Sequence, residues 1–152
     1  MVDVVRTEIR SRMMAGIKAG NTKPEIRLRK ALHSAGLRYR LHVAGLPGKP
    51  DIVLPSRRAT IFVHGCFWHR HAGCHWCTTP ADNAEFWANK FVRNIERDRE
   101  VIEMLANSGW RTGIVWECGL RVPYISATIE AVRDWIASDR SNFESGVVRP
   151  KG

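Results

Sequence analysis

The sequence predicts an α/β (α+β) fold, with a central mixed β-sheet flanked by helices. Two helical spacings of apolar residues, at 22–36 and 82–107, enclose strand-like runs at 38–43, 51–54 and 60–64. A further strand, 110–117, and a helix at about 125–138 follow. The order is therefore helix, three strands, long helix, strand, helix, which is layered α/β architecture.

Each element has local reasons. Residues 3–19 are basic and weakly amphipathic, with Met13, Met14 and Ile17 close together, and predict a helical arm that Gly20-Asn21 breaks. Thr22-Lys23-Pro24-Glu25 matches a capping box, with Thr22 as N-cap and Pro24 in the first turn. Ile26, Ala31 and Leu32 supply much of that helix's buried stripe, and Gly36 ends it. Pro55-Ser56-Arg57-Arg58 is a turn between two strands. Residues 65–81 form a long irregular loop rich in Cys and His. In the long helix, Ala84, Trp87, Ala88, Phe91, Ile95, Ile102 and Leu105 share one face. Asp98 interrupts this stripe, so a hydrogen-bonding partner is expected for it. Lys90, Asn94 and Arg97 line an adjoining polar face.

A chain of 152 residues fits one domain, taken as 1–138 with its N-terminal arm, and the polar stretch 139–152 is expected to be a loose tail. Lys+Arg number 24 against 15 Asp+Glu, a net charge of +9. That balance suits a polyanionic partner, or is simply a basic surface. No apolar run approaches the ~20 residues needed to span a bilayer. No signal-peptide pattern opens the chain, so a cytoplasmic protein with no membrane partner is expected.

Two groups of residues carry chemistry. A hairpin turning about Arg57 and Arg58 would set Asp51 opposite His64 and Val53 opposite Phe62, ~4.5–5.5 Å apart. A carboxylate there can bind Mg²⁺, and His64 and His69 can move protons near neutral pH. Equally, Asp51 can cap a turn, His64 can be a strand-end histidine, and the capping box accounts for Glu25 without catalysis. The second group is the loop Gly65 to Cys77, with three Cys and three His, to which Cys118 could return from the following strand. Cysteines beside histidines point to tetrahedral zinc. The Cys74-His75-Trp76-Cys77 spacing also occurs in redox motifs, but it lies in a loop. Phe67 and Trp68, flanked by these ligand candidates, are of the type that wedges between base pairs, at lower cost where pairing is weak.

The runs Leu46-Pro47-Gly48-Lys49-Pro50-Asp51, Val63-His64-Gly65-Cys66-Phe67-Trp68-His69, Glu85-Phe86-Trp87, Asn94-Ile95-Glu96-Arg97-Asp98 and Val115-Trp116-Glu117-Cys118 resemble those of the very short patch repair endonucleases. The likeness extends from about residue 6 to 137. It implies a restriction-endonuclease-like fold with a structural zinc site. It also implies a Mg²⁺-dependent, strand-specific nick 5′ of the thymine in T·G mismatches.

By the same resemblance, Asp51 and the backbone carbonyl of Val63 hold the Mg²⁺, with His64, His69 and Glu25 as further catalytic residues. Cys66, His71, Cys74 and Cys118 match the zinc ligands, with the extra thiol Cys77 as an alternative to Cys74. Phe67, Trp68 and Trp87 match a wedge entering from the major groove. Met14 and Ile17 would approach from the minor groove, and Lys90 and Asn94 would face bases or phosphates. The expected partner is duplex DNA carrying a T·G mismatch, bound by a monomer, with mismatch-repair proteins as further partners. Two other readings stand beside it: a restriction-type nuclease on paired DNA, and a zinc-stabilised DNA-binding module without catalysis. Asp51, His64 and His69 argue against the second.

Overall fold

The computed structural model describes residues 22–152, so the arm at 3–19, with Met14 and Ile17, lies outside the described residues. Helix α1 (Lys23–Ser34) starts where the capping residues place it: the Thr22 hydroxyl accepts the Glu25 N–H at 3.4 Å. Leu28 and Leu32 are its fully buried apolar residues, while Ile26 and Ala31 are only half-buried.

Five strands form one sheet in chain order. Strands β1 (Arg40–Leu41), β2 (Ile52–Leu54) and β3 (Ala59–His64) are antiparallel neighbours. Strands β4 (Arg111–Trp116) and β5 (Asn142–Glu144) then add in parallel. Only two residues of the expected strand at 38–43 pair. Between β3 and β4 runs α2 (Ala84–Asn107), the long crossover that a parallel pair requires. Helix α3 (Ile125–Ala137) connects β4 to β5.

The alternation along β3 and β4 sorts side chains to two faces. Ile61 and Val115 join Leu28, Leu32, Val132 and Trp135 in the core under α1 and α3. Phe62, Ile114 and Trp116 join Leu105 and the cysteines on the other face. With both faces covered, the central strands are buried almost throughout.

Three expectations change. The hairpin turns earlier than expected: Ile52 pairs with Ile61, Val53 with Thr60 and Leu54 with Ala59. The turn is Pro55–Arg58, closed by Arg58 N–H to the Pro55 carbonyl at 3.1 Å, with Arg58 left-handed at φ 51. Its centre precedes Arg57, so the register continues Asp51 toward Phe62 rather than His64.

The stretch 139–152 is not a loose tail. It carries β5, and Phe143 stacks on Trp135 at 5.8 Å. Ser145 is buried and its hydroxyl accepts the Trp116 N–H at 2.8 Å. Long-range pairing to β4 fixes this segment where local composition offers nothing.

Finally, Ala84, Ala88 and Ile95 of α2 are exposed. Only Phe91 and Leu105 are buried, so most of the predicted apolar face of the first half of the helix is left uncovered.

Candidate active site and metal centre

A cleft of about 480 Å³ opens at the end of β2 and β3, lined among others by Glu25, Lys49, Asp51, Val63, His64 and His69. The turn before β2 presses tightly on α2: a Cβ on Gly48 (φ +72) would lie 2.5 Å from Val101 Cγ1. This packing fixes the chain just ahead of Asp51, the residue that directly precedes β2.

Asp51 Oδ2 accepts the Val63 N–H at 2.7 Å. Burial holds its carboxyl well above the usual carboxylate range, at about 7; the Val63 bond opposes that and the nearby Glu25 carboxylate adds to it. A cation in the cleft would remove the cost of ionising it. Glu25 is buried on α1, and its Oε2 lies 2.8 Å from His42 Nε2 and 3.4 Å from Arg29. One oxygen each from Glu25 and Asp51 and one nitrogen of His42 fall within 4.8 Å of one another, a spacing that a single cation can bridge.

Beside this triad, His64 and His69 stack at 3.8 Å between centroids, nearly parallel. Burial pulls the His64 imidazole down to about 3, and His69 pulls the same way. His64 is therefore neutral at physiological pH. His69 Nδ1 lies 2.7 Å from Asp98 Oδ2. The partner expected for Asp98 is thus the candidate catalytic histidine. Burial also raises the Glu117 carboxyl on the cleft wall.

Sequence reasoning missed His42, Asp98 and Glu117 as members of the site. Asp98 left a signal, a charge within an apolar stripe. His42 left none: its place depends on a left-handed backbone at φ 47, with its N–H bonded to the Asp51 carbonyl at 3.2 Å.

The second centre is closed. Ligand atoms of Cys66, His71, Cys74 and Cys118 lie within 4.8 Å of one another, and all four residues are buried. His71 Nδ1 is 3.5 Å from Cys118 Sγ and 3.7 Å from Cys66 Sγ. Tetrahedral zinc, with its usual bond lengths, would set such atoms about 3.6 Å apart, so the donor set fits. Burial pushes the Cys66 and Cys118 thiols up, leaving them protonated unless a cation takes them as thiolates. Cys77 is buried but stands outside the cluster, so Cys74 is the thiol brought in. The C-terminal stretch straps this loop: Lys151 N–H bonds the Gly73 carbonyl at 3.0 Å, and His75 N–H the Arg149 carbonyl at 2.8 Å.

Next to the cleft, Phe67, Trp68, Trp87 and Phe91 form an aromatic cluster with centroids 5.1–5.8 Å apart. Phe67, Trp68 and Trp87 remain half-exposed. Asn94 Nδ2 donates to the Trp68 carbonyl at 3.1 Å, so its amide braces the aromatic loop, while Lys90 is half-buried on the same helix.

Residues 2–76 match the family model described as DNA mismatch endonuclease Vsr. The DNA mismatch endonuclease Vsr of Escherichia coli is 42% identical over 147 residues, covering 95% of this chain and 94% of that protein. The type II nicking enzyme V.XorIIP of Xanthomonas oryzae pv. oryzae is 46% identical over 120 residues, 79% of this chain and 88% of that one. V.NmeAIP, a type II nicking enzyme of Neisseria meningitidis serogroup A, is 40% identical over 121 residues, 80% and 86% of the two chains. With a relative this similar along nearly its whole length, the chain belongs to the DNA mismatch endonuclease Vsr family.

Proposed function

We propose that this protein nicks one strand of duplex DNA 5′ of the thymine in a T·G mismatch, with Mg²⁺ at Asp51. The observation that carries the reading is the convergence of Asp51, Glu25, His64 and a His69–Asp98 pair in one cleft beside half-exposed aromatic rings. Asp51 and the carbonyl of Val63 would hold the metal, with Glu25 beside them. Mg²⁺, when bound, supplies Lewis-acid polarisation of the phosphoryl oxygen and an acidified water.

The chain's own residues account for the rest. Asp98 fixes the Nδ1 side of His69, which leaves Nε2 to move a proton at the scissile phosphate. Neutral His64 backs His69 face to face and keeps water from that side of the ring. Phe67, Trp68 and Trp87 would wedge into the base stack at the mispair, where unstacking costs least. Lys90 would meet the DNA from α2, and Met14 and Ile17 from the N-terminal arm. Cys66, His71, Cys74 and Cys118 would hold structural zinc, pinning the loop that carries the wedge. The enzyme would act in the cytoplasm; no helix among the described residues is long and apolar enough to cross a membrane.

The test is a nicking assay with Mg²⁺ or EDTA on duplexes containing T·G, other mismatches or full pairing, each strand labelled. One nick, on the thymine strand of T·G and only with metal, is expected. Equal cutting of paired DNA would instead make the protein a restriction-type nuclease, and metal-independent cutting would remove Asp51 from its role.

A further inference from the structure

A second hollow, of about 390 Å³, lies outside the active cleft. Three separate parts of the chain bring arginines to it: Arg27 from α1, Arg121 from just beyond β4, and Arg149 from the C-terminal strap. Trp76 and Tyr124 also line it. The Arg121 guanidinium lies 4.4 Å from the Trp76 ring centroid and that of Arg149 lies 5.9 Å away. Arg27 is tethered through the Leu120 carbonyl at 3.3 Å. Among the described residues no carboxylate lines the hollow, and none of these three arginines forms an ion pair. Like charges gathered in this way repel one another until an anion joins them.

Glu117 ties the hollow to the active cleft. It lines the cleft, and Arg121, four residues on, lines the hollow; α1 likewise gives Glu25 to the cleft and Arg27 to the hollow. The short segment after β4 thus serves both sites.

We infer that this hollow is a phosphate cradle that holds the DNA backbone beside the active cleft. A guanidinium fork matches phosphate oxygens in pairs, and stacking on Trp76 fixes the direction in which Arg121 presents its fork. DNA is the occupant because duplex DNA carries a phosphate about every 1.7 Å of its axis. A backbone leaving the active cleft therefore meets the neighbouring cationic surface. The inference rests on the reading above that DNA is the substrate.

The experiment measures binding, not cleavage. Affinity for a T·G duplex is followed by fluorescence anisotropy from 50 to 300 mM KCl for the full chain and for Arg121→Gln and Arg149→Gln. Each Gln variant should flatten the slope of log affinity against log salt by about 0.9, the value of one phosphate contact. Arg149→Lys, which keeps the charge, should restore the slope. Neutral methylphosphonates placed singly along the duplex should weaken the wild type at one backbone position at which the Gln variants no longer respond. Equal slopes in wild type and both Gln variants, or identical methylphosphonate profiles, would overturn the cradle and leave the DNA reading standing. Failure of the wild type to bind any duplex would overturn both.

Discussion

The two candidate metal centres lie on neighbouring elements and follow opposite rules. Cys66, Cys74 and Cys118 have no exposed surface and His71 has 4%, so that donor set is sealed. Asp51, His69 and Asp98 are only half-buried and border an open cleft, and His42, bonded to Glu25 of that cleft, is half-buried too. A closed set of four Cys and His donors is what a structural zinc needs, whereas a catalytic site keeps room for water and substrate. The linker between the centres is short: His64 and His69 belong to one, and Cys66 and His71 to the other. Pinning the loop at Cys66 and His71 therefore also places His69 and the Phe67-Trp68 pair. The restriction-endonuclease-like α/β sheet supplies the platform, because β3 leads into this loop and β4 ends beside Cys118.

Breaking the open centre should cost chemistry and not the fold. Asp51→Asn keeps an acceptor for the Val63 N–H but loses the charge that would hold a cation. Nicking should fall by about 10³-fold or more, equivalent to roughly 4 kcal/mol of barrier, with melting temperature unchanged or raised. Single-turnover cleavage and thermal melting check this together, and wild-type nicking by the variant would remove Asp51 from the metal site.

Breaking the closed centre should do the reverse. Cys118→Ala deletes a buried donor, so zinc content by elemental analysis should fall from about one per chain toward zero. Stability should drop by several kcal/mol, since structural zinc binding is coupled to folding. Unchanged stability and metal content would mean that the four residues pack as an ordinary core.

A smaller effect probes the join between the two. Asp98→Asn weakens the hold on His69 Nδ1 while preserving size, and a partner orienting a functional histidine is typically worth about 10–100-fold. The loss should appear in the maximal cleavage rate with mismatch affinity nearly intact. A loss confined to affinity would make Asp98 a purely structural partner.

What the sequence made legible was local. The capping box at Thr22, the Cys/His loop and the acid before a buried strand are short-range signals, and each lies where its residue types predict. The misreadings concern long-range or sub-residue geometry. The hairpin centre depended on Arg58 accepting a left-handed backbone, which shifted the partner of Asp51. Strand β5 has one apolar residue, Phe143, and is held by β4 and Trp135 rather than by its own propensity. The exposed first half of α2 reads as amphipathic because periodicity records a face but not what covers it. His42 reaches Glu25 across 17 positions through a strained turn, a relation that spacing alone does not encode.

The smallest expected effect separates the centres by pH. Metal-free Asp51 has its carboxyl raised from 3.8 to about 7, chiefly by burial. A raised carboxyl is protonated at little cost below 3.8, and the stability it contributes there is lost as pH climbs through 7. Mg²⁺ must displace that proton, so its apparent affinity should weaken about tenfold per pH unit below 7 and level off above about 8. The rise in melting temperature produced by Mg²⁺ should accordingly grow between pH 5.5 and 8. Asp51→Asn should abolish the whole dependence, whereas a conservative change at the strapped end of the Cys/His loop should leave it untouched. His64 does not contribute in this window, because its own change of charge is pulled down to about 3. A Mg²⁺-induced shift that is flat from pH 5.5 to 8 in the wild type would mean that the cation binds away from Asp51.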